Sequence, residues 1–86
     1  MNEIVYSWQD LMYKLLRIDD LIIKGHGDNR ITVSLKEWDV YDGHGGYLQQ
    51  YGDARTLEYA ILDYIRKISG KQLKKMSGDR IVQILL

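Results

Sequence analysis

Thr56-Leu57-Glu58-Tyr59-Ala60-Ile61-Leu62-Asp63-Tyr64-Ile65-Arg66-Lys67-Ile68-Ser69-Gly70 is the stretch that decides how this chain folds. Leu57, Ala60, Ile61, Tyr64, Ile65 and Ile68 recur at the three- and four-residue steps of a single helix face. Asp53 or Thr56 can cap the first turn, and Gly70 is a natural stop. Asp63 and Lys67 stand four residues apart on the wet face, a pair worth about a few tenths of a kcal/mol. An apolar stripe this continuous must be buried against another layer.

The upstream sequence supplies that layer. Ile31, Val33 and Leu35 alternate with Thr32, Ser34 and Lys36, the period of a half-buried strand whose Ser34 lies on the polar side. Leu21-Ile22-Ile23 is a shorter strand, leading into the turn Gly25-His26-Gly27-Asp28-Asn29. Trp38 and Val40 fall on the opposite parity, which predicts a bulge near Lys36-Glu37. Asp42-Gly43-His44-Gly45-Gly46 reads as a hairpin turn whose glycines supply positive φ, and Tyr47 to Tyr51 as a third strand.

Ser7-Trp8-Gln9-Asp10 opens an earlier helix with Ser7 as cap. Its stripe is Trp8, Leu11, Met12, Leu15 and Leu16, it ends near Ile18, and Tyr6 and Leu11 are spaced as a hydrophobic staple. Gln72 to Met76 has the look of a short helical turn. Ile81 to Leu86 fits a buried strand slightly better than a helix. The expected architecture is α+β, in the order α-β-β-β-α with a short C-terminal segment. Two helices would cover one face of a small antiparallel sheet of three strands, or four if the end joins. Residues 1–86 form one domain, since 86 residues suffice for one and not for two.

Composition narrows the function. There is no cysteine, so neither a disulfide framework nor a thiolate metal site is expected. His26 and His44 sit in turns at opposite ends of the expected middle strand, roughly 40 Å apart, too far to share a metal. No serine lies in a Gly-x-Ser-x-Gly elbow, and the pairs Asp19-Asp20 and Asp39/Asp42 read as solvated acidic surface. Gly43-His44-Gly45-Gly46 precedes a strand, whereas a phosphate cradle needs a helix N-terminus. The expectation is a non-enzymatic chain without cofactor. It has no membrane-length apolar run and no leader-like N-terminus, which suits the cytoplasm.

The formal net charge is zero, but acids and bases are segregated. Glu37, Asp39, Asp42, Asp53, Glu58 and Asp63 crowd the middle, while Arg66, Lys67, Lys71, Lys74, Lys75 and Arg80 crowd the end. Seven tyrosines and no phenylalanine are present. Tyr13 and Tyr59 fall off their helices' apolar stripes, and Tyr41, Tyr47 and Tyr51 accompany the acidic hairpin. Tyrosine is favoured at interfaces for its rigid area and hydroxyl. Glu37, Asp39, Tyr41, Asp42, Tyr47, Tyr51 and Asp53 are therefore the candidate protein-binding residues. The basic segment is the alternative surface, for nucleic acid. Against that alternative, no aromatic is interleaved among its lysines to stack on bases.

Two resemblances add to this reading. The helix, strands, acidic Gly-rich turn and second helix resemble small phage-encoded anti-CRISPR proteins, with Glu37, Asp39, Asp42 and Asp53 beside Tyr41 and Tyr47. That resemblance implies an inhibitor presenting acids to a CRISPR nuclease or another basic-grooved protein. Tyr51-Gly52-Asp53-Ala54-Arg55-Thr56-Leu57-Glu58-Tyr59-Ala60 resembles the strand-to-helix step of HicB-type antitoxins, over about residues 30–68. It implies a toxin–antitoxin or nucleic-acid-binding regulator.

Overall fold

The computed structural model describes residues 7–84. The first helix, α1 (Trp8–Leu16), starts on a capping box: Ser7 Oγ accepts from the Asp10 N–H, and the Asp10 carboxylate accepts from the Ser7 N–H. Tyr6, the other half of the expected staple, lies outside the described residues. The strands follow as β1 (Leu21–Gly25), β2 (Ile31–Leu35), β3 (Trp38–Tyr41), β4 (Tyr47–Gln49) and β5 (Gly52–Ala54). Next come α2 (Leu57–Ile68), capped by Thr56, and a final hairpin of β6 (Gln72–Lys75) and β7 (Ile81–Gln83).

The chain is α+β, with antiparallel pairing throughout, as expected. Its strands divide into two sheets, ordered β1-β2-β5 and β4-β3-β6-β7. The division happens at Lys36-Glu37, where the sequence suggested a bulge in one continuous strand. Glu37 instead adopts φ 61°, a left-handed turn that ends β2 and starts β3 in the other sheet. The parity flip between Leu35 and Trp38 is thus a change of sheet. The expected third strand, Tyr47 to Tyr51, is shortened to β4, which pairs with β3, and the residues after it form a further strand, β5, that returns to β2. Gln72 to Met76 is not a helical turn. Its Leu73 is fully buried and hydrogen-bonded strands flank it on both sides, which fixes an extended chain. Ile81–Gln83 is a strand as favoured, although residues 85–86 lie outside the described part.

One core serves both sheets. Leu15, Val33, Leu35, Trp38, Ile61, Tyr64, Ile68 and Leu73 are all fully buried within it. The α2 helix packs on β2 and β5, and α1 packs on α2. Ser34, expected on the wet side, is buried, in register with the half-buried Ile22 of β1.

Two contacts bring α2 this close. A Cβ on Gly52 would lie 2.0 Å from the Ala60 carbonyl oxygen and 2.6 Å from the Tyr64 Cβ, so β5 fits only without a side chain there. The Tyr64 hydroxyl accepts from the buried Leu35 N–H at 3.0 Å. Gly52→Ala should cost about 3 kcal/mol or more through overpacking against backbone. Tyr64→Phe should cost about 1–3 kcal/mol by leaving that N–H unpaired. Urea denaturation measures both, and an unchanged midpoint in either variant contradicts this packing.

Candidate interaction face

Side chains alternate across the four-stranded sheet, and direct partners in an antiparallel pair share a face. Trp38, Val40 and Leu73 point into the core. Asp39, Tyr41, Tyr47, Gln49, Gln72 and Lys74 therefore share the outer face, since Asp39 pairs with both Gln49 and Lys74 and Tyr41 pairs with Tyr47. Ile81 and Gln83 extend this face across β7. Of these, Asp39 and the two tyrosines are half-buried and the others exposed.

The tyrosine rings stand 5.3 Å apart at 53°, a tilted pair of the kind aromatic quadrupoles favour. Lys74 reaches over β3 so that its Nζ lies 5.6 Å from the Tyr47 ring centroid, within cation–π range. At the β3 end of the face lies a cleft of about 260 Å³ lined by Tyr41, Asp42, Gly43, Gly70, Lys71 and Gln72. Asp42 builds its wall: one carboxylate oxygen accepts from the His44 and Gly46 N–H groups at 2.7 and 3.1 Å. Gly43 and Gly45 take φ of 87° and 94° there, as the turn reading required.

Of the acidic candidates, Asp39 and Asp42 thus join Tyr41 and Tyr47. Glu37 lies at the opposite end of β3, with its carboxylate 3.9 Å from Lys75 Nζ. Tyr51 follows β4, exposed, and its carbonyl accepts from Lys67 Nζ. Asp53 belongs to the other sheet. Arg30 grips it with two nitrogens, which lowers its carboxyl from the usual range. Its N–H donates to Asp63 at 3.0 Å, so Asp63 faces β5 and is not on the wet side. Burial pushes the Asp63 carboxyl up, but hydrogen bonds from Arg66, the Asp53 N–H and Lys67 outweigh it and leave it lowered.

The basic candidates do not form one patch. Arg66 and Lys67 pair with Asp63 on α2. Lys71 lines the cleft and Lys74 lies on the outer face. Lys75 turns inward, donating to Asp19 Oδ2 at 2.6 Å and to the Lys36 carbonyl at 2.8 Å. Arg80 lies 5.4 Å from the Trp38 ring and donates to the Ile18 carbonyl. The lysine run also has aromatics after all: Tyr47 and Tyr41 come to it across strands rather than along the chain.

Asp19, read in the sequence as solvated surface, is a joint between the sheets. It accepts from Lys75 and from the Trp38 indole N–H at 3.0 Å. The only sequence signal for this was an acid preceding a strand, which carries no address for its partners. Among the described residues no group of three His, Cys, Asp or Glu could hold a metal ion, and no helix is long and apolar enough to cross a membrane. Comparison with protein-family models, curated proteins and solved structures finds no match to this chain.

Hydrogen bonds from Lys75 first, then from Trp38 and the Asp20 N–H, hold the Asp19 carboxyl well below the usual carboxylate range. A depressed folded pKa stabilises the fold above the unfolded value, about 3.9. That contribution is lost as pH falls through the folded value. Asp19→Asn should therefore lower the denaturation midpoint at neutral pH and flatten its further fall between about pH 4 and pH 2. A variant with the parent's acid slope would show that Asp19 contributes nothing to it.

Proposed function

We propose that this chain is a non-enzymatic binding module that docks a protein partner on the outer face of its four-stranded sheet. The observation that carries this reading is the Tyr41–Tyr47 pair, half-buried and ring against ring on a face that the core does not use. Two rigid rings offer area at little entropy cost, and Gln49, Gln72 and Gln83 around them offer amide donors and acceptors. The cleft beside Tyr41 would take a projecting side chain. Asp39 opposite Lys74, and Asp42 across the cleft from Lys71, make the face charge-balanced. It suits a partner of mixed polarity better than a uniformly basic groove, so the acids set orientation more than affinity.

As an inhibitor from a phage or mobile element, the role its resemblance to anti-CRISPR proteins implies, such a module works by covering its target's surface. A second reading is favoured by Lys74 lying over Tyr47. A cation beside aromatic rings on an open sheet is also how single-stranded nucleic acid is held.

Tagged parent protein, used to capture a partner from bacterial lysate, separates the two. Tyr41→Ala with Tyr47→Ala should weaken the captured complex at least tenfold, about 1.4 kcal/mol or more. Tyr59→Ala, on α2 and exposed, should leave it unchanged. A double variant that keeps its far-ultraviolet circular dichroism and binds like the parent would overturn the protein-binding face. Labelled oligonucleotide that binds in low salt, weakens steeply as salt rises and is lost with Lys74→Glu would establish the second reading instead.

A further inference from the structure

Strand β1 is an edge of the three-stranded sheet, and among the described residues β2 is the strand hydrogen-bonded to it. The His26 N–H donates to the Arg30 carbonyl, and the Lys36 N–H to the Asp20 carbonyl. Even-numbered residues thus bond to β2, and by antiparallel alternation the N–H and C=O groups of Leu21, Ile23 and Gly25 point outward. This is a five-residue edge, against three residues each in β4 and β7.

From Ile23 onward its side chains are exposed as well, while Leu21 and Ile22 are half-buried. Ile23 sits in register with Val33, which is fully buried, yet Ile23 is 49% exposed. The α2 helix covers β2 and β5, so the apolar face of the sheet runs out uncovered at β1. An exposed apolar edge of this kind templates another strand unless charge or proline blocks it, and the one charge in β1, Lys24, alternates onto the opposite face from Ile23. There is no proline in the chain.

We propose that β1 is the seam of a symmetric homodimer, pairing antiparallel with β1 of a second copy about Ile23. The edge is complementary to itself in that register. Ile23 meets Ile23 of the second copy, and Gly25 leaves room for the opposing Leu21. Asp20 falls opposite His26 and diagonal to Lys24 of the second copy, so the acidic end of one strand meets the basic end of the other. Each outward residue exchanges both backbone groups, joining two three-stranded sheets into one. A two-fold axis requires this self-complementarity, whereas a foreign strand does not. The seam lies in the other sheet from Tyr41 and Tyr47 and does not rest on their role.

Only one short strand and its flanks are buried, so the dimer is weak, forming at concentrations on the order of 100 µM. Sedimentation equilibrium of the parent should show a monomer–dimer transition there. Ile23→Lys and Ile23→Glu should each be folded monomers, because like charges then face each other across the axis. Mixing the two should restore the dimer, since residue 23 opposes only itself. Amide exchange on the parent needs no substitution: protection at Leu21, Ile23 and Gly25 should rise with protein concentration. A parent still monomeric at about ten times that concentration, a dimer indifferent to Ile23→Lys, a mixture that stays monomeric, or amide protection independent of concentration would each overturn the seam.

Discussion

The hydrogen bond from the buried Leu35 N–H to the Tyr64 hydroxyl is what allows one chain to make two sheets. Residues 31 and 33 of β2 pair with Ala54 and Gly52 of β5. The next residue in that alternation, Leu35, would pair with Gln50, but by then the chain belongs to β4's sheet. Its N–H would be a buried donor without a partner, at a cost of about 1–3 kcal/mol. The phenol of α2 supplies the missing acceptor. For it to reach, the helix must lie nearly on the strand, and Gly52 is the residue that permits this. Burial raises the phenol's pKa, keeping it neutral where an anion would be poorly solvated.

On the other side of the break the second sheet is anchored by a polar joint. The Asp19 carboxylate follows α1, the Trp38 indole opens β3, and the Lys75 ammonium closes β6. Lys75 also reaches the Lys36 carbonyl in the switching turn, and the Met76 N–H donates to the Glu37 carbonyl. The two carbonyls of the switching turn, Lys36 and Glu37, are thus answered by residues of the final hairpin. The C-terminal hairpin, the least legible part of the chain, thereby ties down the turn between the sheets.

What could be read in advance follows from range. Helix α2, the Ser7 cap and the Asp42 turn are set by residues within a few positions of one another, and each formed where the local chemistry placed it. The parity flip between Leu35 and Trp38 was visible, but a bulge and a change of sheet leave the same local trace. What distinguishes them is the acceptor on Tyr64, 29 residues away. Asp19 and Lys75 are 56 residues apart and nothing near either names the other. Among the candidate site residues, Asp39, Tyr41, Asp42 and Tyr47 share a hairpin and stayed together. Glu37, Tyr51 and Asp53 separated because the sheets did.

The net charge is zero by count, and the fold sets the segregated acids and bases against one another. An acidic middle and a basic end would each repel itself if left as separate surfaces. Antiparallel pairing of β3 with β6 sets Asp39 against Lys74 and Asp19 takes Lys75, while Asp63 takes Arg66 and Lys67 along its own helix. Charge that looked available for a partner is largely consumed in holding the chain to itself. The tyrosines are divided differently. Tyr64 is buried with its hydroxyl employed, whereas Tyr41 and Tyr47 keep their rings on the outer face of the second sheet. A phenylalanine there would leave apolar surface with no polar tip for water to meet. The outer face thus combines a tyrosine pair with charges that are already set against one another.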